Sequence, residues 1–268
     1  MINQPQIIQN LKMKSHSKAL VLCMLSFPIY AFSQGVSGTE GEQKNKSTFL
    51  YGLGASVSTE IYKGYSTRVT PLPLIGYKGE KLTVLGPFIS YKVTQYQDFT
   101  VSAKLAPRFQ GYDESDSDIF IGMKERKNSL DAGFGIEYAH NDWKVAFTSM
   151  FDVLDRSNGV EVKSTLGRSY RVGPVFIEPS VSLSYVDENH VDYYYGVNES
   201  EINQDREAYR GDSALNKSLA LSVATPMFFG GLTRLNIEYT WFDKNITNSP
   251  LVDSNSSVNL MLLFSKNF

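Results

Sequence analysis

The stretch Arg234-Leu235-Asn236-Ile237-Glu238-Tyr239-Thr240-Trp241 alternates strictly. Leu235, Ile237, Tyr239 and Trp241 fall on one face of an extended chain, and Arg234, Asn236, Glu238 and Thr240 on the other. Side chains of a β-strand point alternately to opposite faces, so the pattern predicts a strand between two unlike media. An arginine and a glutamate cannot face hydrocarbon, but they can be hydrated or paired inside a polar lumen. Aliphatics outside and charges inside is the inverse of a soluble barrel.

The same design recurs along the chain. Phe49, Tyr51, Leu53, Ala55 and Val57 alternate with Gly52, Gly54, Ser56 and Ser58. Phe99, Val101, Ala103, Leu105 and Phe109 alternate with Thr100, Ser102, Lys104 and Arg108, and Leu130, Ala132, Phe134, Ile136 and Tyr138 with Asp131, Gly133, Gly135 and Glu137. Further segments run from Trp143, Val175 and Leu219. A soluble antiparallel sandwich also alternates. Strand length decides for the membrane: these segments run to about ten residues, the span of a tilted transmembrane strand, with aromatics near their ends as in interfacial girdles. The mean hydropathy of −0.23 does not oppose this, because every second residue of such a barrel faces a polar interior.

At the C-terminus, Val258, Leu260, Leu262, Phe264 and Phe268 lead to a terminal phenylalanine, interrupted by Lys266. This resembles the terminal recognition signal of outer-membrane proteins; Leu260, Leu262, Phe264 and Phe268 would carry it to the barrel-assembly machinery. At the N-terminus, Lys12, Lys14 and Lys18 precede an apolar stretch from Ala19 to Phe32. This is too short for a membrane-spanning helix and ends in small residues, the layout of a cleaved signal peptide over 1–33. Residues 34–47 lack any period and are read as a flexible periplasmic lead-in, leaving 48–268 as an antiparallel up-and-down barrel of about twelve strands. The expected location is the cell outer membrane, with outer-membrane lipid around the barrel.

Without 1–33 the chain has 23 basic residues against 28 acidic, a net charge of −5, which argues against a nucleic-acid partner. The lone Cys23 falls within the leader, so no intramolecular disulfide is expected. Both termini in the periplasm require an even strand count. Twelve is reached if a short strand lies near Ile119 to Lys124, with tight inner turns at Lys78–Glu80, His140–Asp142, Val172–Pro174 and Phe229–Gly231. Residues 187–216 and 244–256 then form long outer loops, and the acidic Gly111–Asp118 turn falls on the periplasmic side.

Several stretches resemble the MltA-interacting protein (MipA/OmpV) family of outer-membrane proteins. They are Pro71-Leu72-Pro73-Leu74-Ile75-Gly76-Tyr77 with Lys78-Gly79-Glu80-Lys81, Ile121 to Lys127 leading into Leu130-Asp131-Ala132-Gly133, Tyr193-Tyr194-Tyr195-Gly196-Val197 with Ala208-Tyr209, and Ser249-Pro250-Leu251-Val252. The resemblance implies a scaffold between a murein-cleaving lytic transglycosylase and a murein-synthesising penicillin-binding protein; adhesins and small porins are the family's other roles.

Catalytic chemistry finds little purchase. Only His140 and His190 lie beyond the leader, both read as solvated turn residues, and no G-x-S-x-G, H-E-x-x-H or P-loop pattern occurs. The G-x-G pairs at Gly52/Gly54 and Gly133/Gly135 lie on strands, which gives a nucleotide site no support. The run Asp113 to Asp118 lacks the glycine and distal glutamate of a Ca²⁺ loop and reads as a hydrated turn. The sequence thus points to no catalytic residue, cofactor or metal. If the barrel conducts, Lys104, Arg108, Arg234 and Glu238 are the candidate lumen charges. Tyr193, Tyr194, Tyr195 and Trp241 are candidate aromatics of the membrane boundary.

Overall fold

The computed structural model describes residues 47–268; the expected leader over 1–33 and all but the last residue of the lead-in lie outside the described residues. The chain forms thirteen antiparallel segments. In order these are β1 (Thr48–Thr59), β2 (Thr67–Lys78), β3 (Leu82–Leu85), β4 (Phe88–Tyr96), β5 (Phe99–Arg108), β6 (Ser129–His140) and β7 (Trp143–Asp152). They continue as β8 (Val160–Arg168), β9 (Tyr170–Val172), β10 (Val175–Val186), β11 (Ala214–Thr225), β12 (Leu232–Trp241) and β13 (Ser256–Asn267). β8 and β9 are two halves of one strand interrupted at Ser169, since β10 pairs with both. The barrel therefore has twelve strands, each paired with its sequence neighbour, and β13 closes it on β1 from Ser58↔Asn259 to Leu50↔Asn267.

The parity read from the sequence is the parity of the wall. Leu53 is 69% exposed and Ile75 77%, whereas Arg234, Asn236 and Glu238 on inward positions of β12 are buried. Aromatic side chains ring both ends of the apolar band. Tyr96, Phe99, Trp143 and Tyr170 are exposed near one rim, Phe151, Tyr185, Tyr239 and Trp241 near the other. Outward-facing Arg168 lies between the Trp143 and Tyr170 rings, 5.2 Å from each centroid, an anchoring expected of a cation where hydrocarbon meets headgroups.

One expectation is corrected. The short twelfth strand is β3, four residues long, and not a strand near Ile119–Lys124, where Asp118–Phe120 forms a 3₁₀ turn with Phe120 buried. Moving the short strand ahead of β5 inverts the side of the following loop. The acidic Gly111–Asp118 segment thus joins loops 187–213 and 242–255 at the end away from both termini. Apart from the β3–β4 turn at Gly86-Pro87, the tight turns, including Asn141-Asp142 with positive φ, share the other end. Outer-membrane barrels place tight turns in the periplasm and long loops outside, so the acidic segment is external.

Glycines make the closing seam possible. A Cβ on Gly52 would fall 1.9 Å from the Phe264 carbonyl oxygen, inside the β1–β13 ladder, whereas Gly173, at φ +60°, faces open space. Gly52→Ala is expected to cost about 3 kcal/mol or more and to lower the folded yield seen by heat-modifiable gel mobility. Gly173→Asn, which tolerates the left-handed turn, should change stability by less than about 0.5 kcal/mol.

Candidate functional site: a capped, ion-paired lumen

At the outer end, four loops pack into a cap with its own apolar core. Ile61 and Tyr62 come from the first loop, Tyr112, Phe120 and Met123 from the second. Val191, Tyr194, Tyr195 and Val197 come from the third, and Ile246, Leu251 and Val252 from the fourth. Phe120 stacks on Tyr112 at 4.0 Å, and Tyr62 stacks on Tyr195 at 5.5 Å. The hydroxyls of Tyr62 and Tyr112 both donate to the Tyr194 carbonyl, at 3.2 and 3.0 Å, satisfying phenols that burial would otherwise strand.

Helix α1 (Glu188–Tyr195) presents Tyr194 and Tyr195, and its N-cap Asp187 accepts from the His190 amide at 3.0 Å. The same carboxylate accepts from the Val160 amide, tying the helix start to β8. At the far side, Ser249 donates to the Tyr195 carbonyl at 2.6 Å, next to the short helix α2 (Lys244–Thr247).

Two buried arginines lock the cap. Arg126 holds the Glu201 carboxylate in a two-pronged fork at 2.9 and 2.8 Å and also donates to the Tyr193 carbonyl. Arg206, 2% exposed, donates to the carbonyls of Glu201, Ile119 and Ile121, so one guanidinium stitches the second loop to the third. Burial would push the Glu201 carboxyl up, but the Arg126 fork and the Lys124 and Asn198 amides outweigh it and hold the group at about 2. His190 is held down at about 3 by burial, with Arg108 adding to the effect.

Below the cap, inward side chains divide the lumen. One sector is ionic. Arg108 binds Asp131 and, at 2.8 Å, Glu161; Ser184 donates to Glu161 at 2.6 Å; Lys163 pairs with Glu238 at 3.1 Å. Nearer the inner rim, Lys144 pairs with Glu178 at 2.6 Å. The other sector is apolar, with Leu50, Leu72, Leu74, Leu85, Phe88, Met261 and Leu263 buried together. Between cap and apolar cluster lies a cavity of about 290 Å³ lined by Arg68, Arg108, Asp131, Glu161, Glu238 and others.

The candidate residues fall in different places. Arg108 and Glu238 are inside the outer half of the barrel, Arg234 is buried nearer the inner rim, at the third position of β12, and Lys104 lines a separate cleft of about 30 Å³ with Glu137. Leu260, Leu262 and Phe268 are exposed on or just beyond β13, and Phe268 meets the Tyr51 ring at 4.8 Å. Trp241 faces outward beside Tyr239. Tyr194 and Tyr195 do not lie at the membrane boundary: they are buried in the cap core, with Tyr193 packed at its edge. His190 is likewise no solvated turn residue but 3% exposed, whereas His140 sits in an inner turn 2.8 Å from Asp98. Glu161 and Lys163 were findable by inward parity once β8 was placed. The Arg126–Glu201 fork joins residues far apart in sequence and leaves no local signal.

The model of the family described as MltA-interacting protein MipA matches residues 51–268. The chain belongs to this family. Among relatives of the MltA-interacting protein family, putative outer membrane protein YiaT of Escherichia coli K12 is 27% identical over 214 residues, 79% of this chain and 87% of the relative. The E. coli K12 protein named MltA-interacting protein is 26% identical over 230 residues, 84% and 90% of the two chains. Outer membrane protein OmpV of Vibrio cholerae is 24% identical over 204 residues, 75% and 79%. Of solved structures, the NanC porin aligns over 81% of this chain and 98% of its own at 11% identity, with a TM-score of 0.41. The protein is thus a MipA-family β-barrel of the outer membrane, and its relatives' names describe a location or an interaction rather than a reaction.

The cap lock sets a pH dependence of definite sign. Because Glu201 is depressed from an ordinary value of about 4.3, its contribution is present above that value and is lost as pH falls towards about 2. His190 acts earlier: between its ordinary 6.5 and about 3 only the unfolded chain takes up its proton, so cap stability declines as pH falls through that window. Amide exchange of 187–213 should therefore quicken, relative to intrinsic rates, as pH drops below 6.5. His190→Asn should flatten the upper part of the profile. Glu201→Gln, leaving Arg126 buried and unpaired, should cost about 3–5 kcal/mol of local stability at pH 7.

Proposed function

We propose that this barrel is a partner-binding protein, a scaffold holding a murein-cleaving lytic transglycosylase and a murein-synthesising penicillin-binding protein at the periplasmic face. The observation that carries the reading is the commitment of the interior. The outer mouth is packed with a cap, and ion pairs and an apolar cluster fill the lumen down to a cavity of about 290 Å³, so the surfaces left for a macromolecular partner are the rims and the lead-in. The inner rim offers an exposed apolar turn, Met227-Phe228-Phe229, with Phe229 87% exposed beside the C-terminal strand. The relative named MltA-interacting protein supports the same class of role.

A small diffusion channel is the second reading, favoured by the cavity of about 290 Å³ lined by the charged Arg108 and Glu238. Photo-crosslinkers at Lys81, Asn141 and Phe229 are expected to trap murein enzymes, while the same group at Asp155 in an outer loop should not. The refolded barrel should be silent in planar bilayers. Stable conductance steps whose ion selectivity changes with Arg234→Glu or Glu238→Lys, together with no crosslinks from the inner turns, would replace the scaffold by the channel.

A further inference from the structure

The barrel wall carries a notch on its outer half. The β3–β4 hairpin turns at Gly86-Pro87, level with Gly76 of β2 and, across β4, with Leu105 of β5. Above that level, among the described residues, no strand pairs with the facing edges of β2 over 67–75 or of β5 over 106–108.

The direction of the backbone groups can be fixed. The Gly86 amide donates to the Ile75 carbonyl at 3.0 Å, so Ile75 turns its polar groups away from β1. In an antiparallel strand every second residue does the same, which aims Val69, Pro71 and Pro73 into the notch. On the opposite edge, the Ala139 amide donates to the Asp98 carbonyl. Even-numbered residues of this strand therefore face β6, and Pro107 faces the notch.

Three of the four notch-facing positions named here are prolines, and Pro87 forms the hairpin tip. An unpaired amide in hydrocarbon is costly; proline has no amide hydrogen to leave unpaired. The sequence thus removes donors where the wall lacks a strand, and the gap can persist against lipid.

Behind the notch lies the cavity of about 290 Å³. Thr70, Ala106 and Pro107 line it, the last from a strand position of outward parity. Three buried polar atoms of its lining have no partner: Arg68 Nη2, Asp131 Oδ1 and Thr148 Oγ1. We propose that the notch between β2 and β5 is a lateral portal, through which a neutral single-chain amphiphile dissolved in the bilayer places a hydroxylated head in the luminal cavity.

The chemistry of the lining selects that class. Orphaned donor and acceptor groups in one lining suit a head that both accepts and donates, as hydroxyls do. The cavity's ion pairs leave one carboxylate in excess, because Arg108 is shared by Asp131 and Glu161 while Glu60–Arg68 and Lys163–Glu238 are matched; an anionic head is disfavoured. The volume is at the lower limit of ligand pockets, so the head and the start of the chain fit inside while the tail stays in the membrane. This inference is independent of the scaffold reading.

The test uses the protein in nanodiscs with a monoacylglycerol that bears a diazirine beside its glycerol head as photolabel. Saturable labelling of lumen-facing peptides around Ala106, Phe109 and Met150 is expected, reduced about tenfold by Thr70→Trp or, from the other side, Ala106→Phe. Circular dichroism and gel mobility identify which variants fold. Labelling of the wild-type protein confined to outward residues such as Leu53 and Phe147 overturns the proposal without any variant. Unchanged labelling in a folded cavity-filling variant overturns it too, as does faster labelling in the cap-loosened Glu201→Gln protein, which would mean entry from the outer mouth.

Discussion

The constraint on which the rest of the structure depends is that backbone amides and carbonyls find no partner in hydrocarbon. A sheet that crosses the bilayer must close on itself, and here closure runs through the β13–β1 ladder. Once it closes, each strand has a lipid side and a lumen side. Leu53, Ile75, Phe147 and Leu262 go out, and residues that could not be left in lipid come in. The tight register at Gly52 and Gly54, whose missing side chains let the two strands approach, is part of the same requirement.

A twelve-strand ring encloses more space than glycines and serines fill, and this chain fills it by two unlike means. The sector from β13 through β1 and β2 to β4 is packed with leucine, methionine and phenylalanine like an ordinary core. The sector from β5 through β8 to β12 uses charge, with Arg108, Lys144 and Lys163 each placed against a carboxylate. Charges buried in this way are tolerable because they are paired; removal of one partner costs far more than the pair gains. The lumen therefore behaves as an interior, and the cap continues it past the membrane.

How much of this was legible follows from the range of each signal. Alternation is local, so strands such as β12 and β13 could be read residue by residue, and the inner turns at Lys78–Glu80 and Asn141-Asp142 with them. Leu82–Leu85 is too brief to show a period in sequence, so the even strand count points instead to Ile119–Lys124. Tyr194, Tyr195 and His190 were misread for a different reason. Their burial comes from other loops, as in the Tyr62 hydroxyl on the Tyr194 carbonyl, 132 residues away in sequence. The Pro71 and Pro73 pair stood in plain view as a family-like motif, but its meaning depends on which edge of β2 lacks a partner.

The cap also changes what the cell presents to its surroundings. Since Arg206 binds carbonyls of two loops and Tyr112, Tyr194 and Leu251 share one core, the outer surface is a fixed relief assembled from four distant segments of chain. An antibody or phage raised against it would recognise a discontinuous epitope that no single loop peptide reproduces, and an altered residue in one loop would reshape the surface offered by the other three.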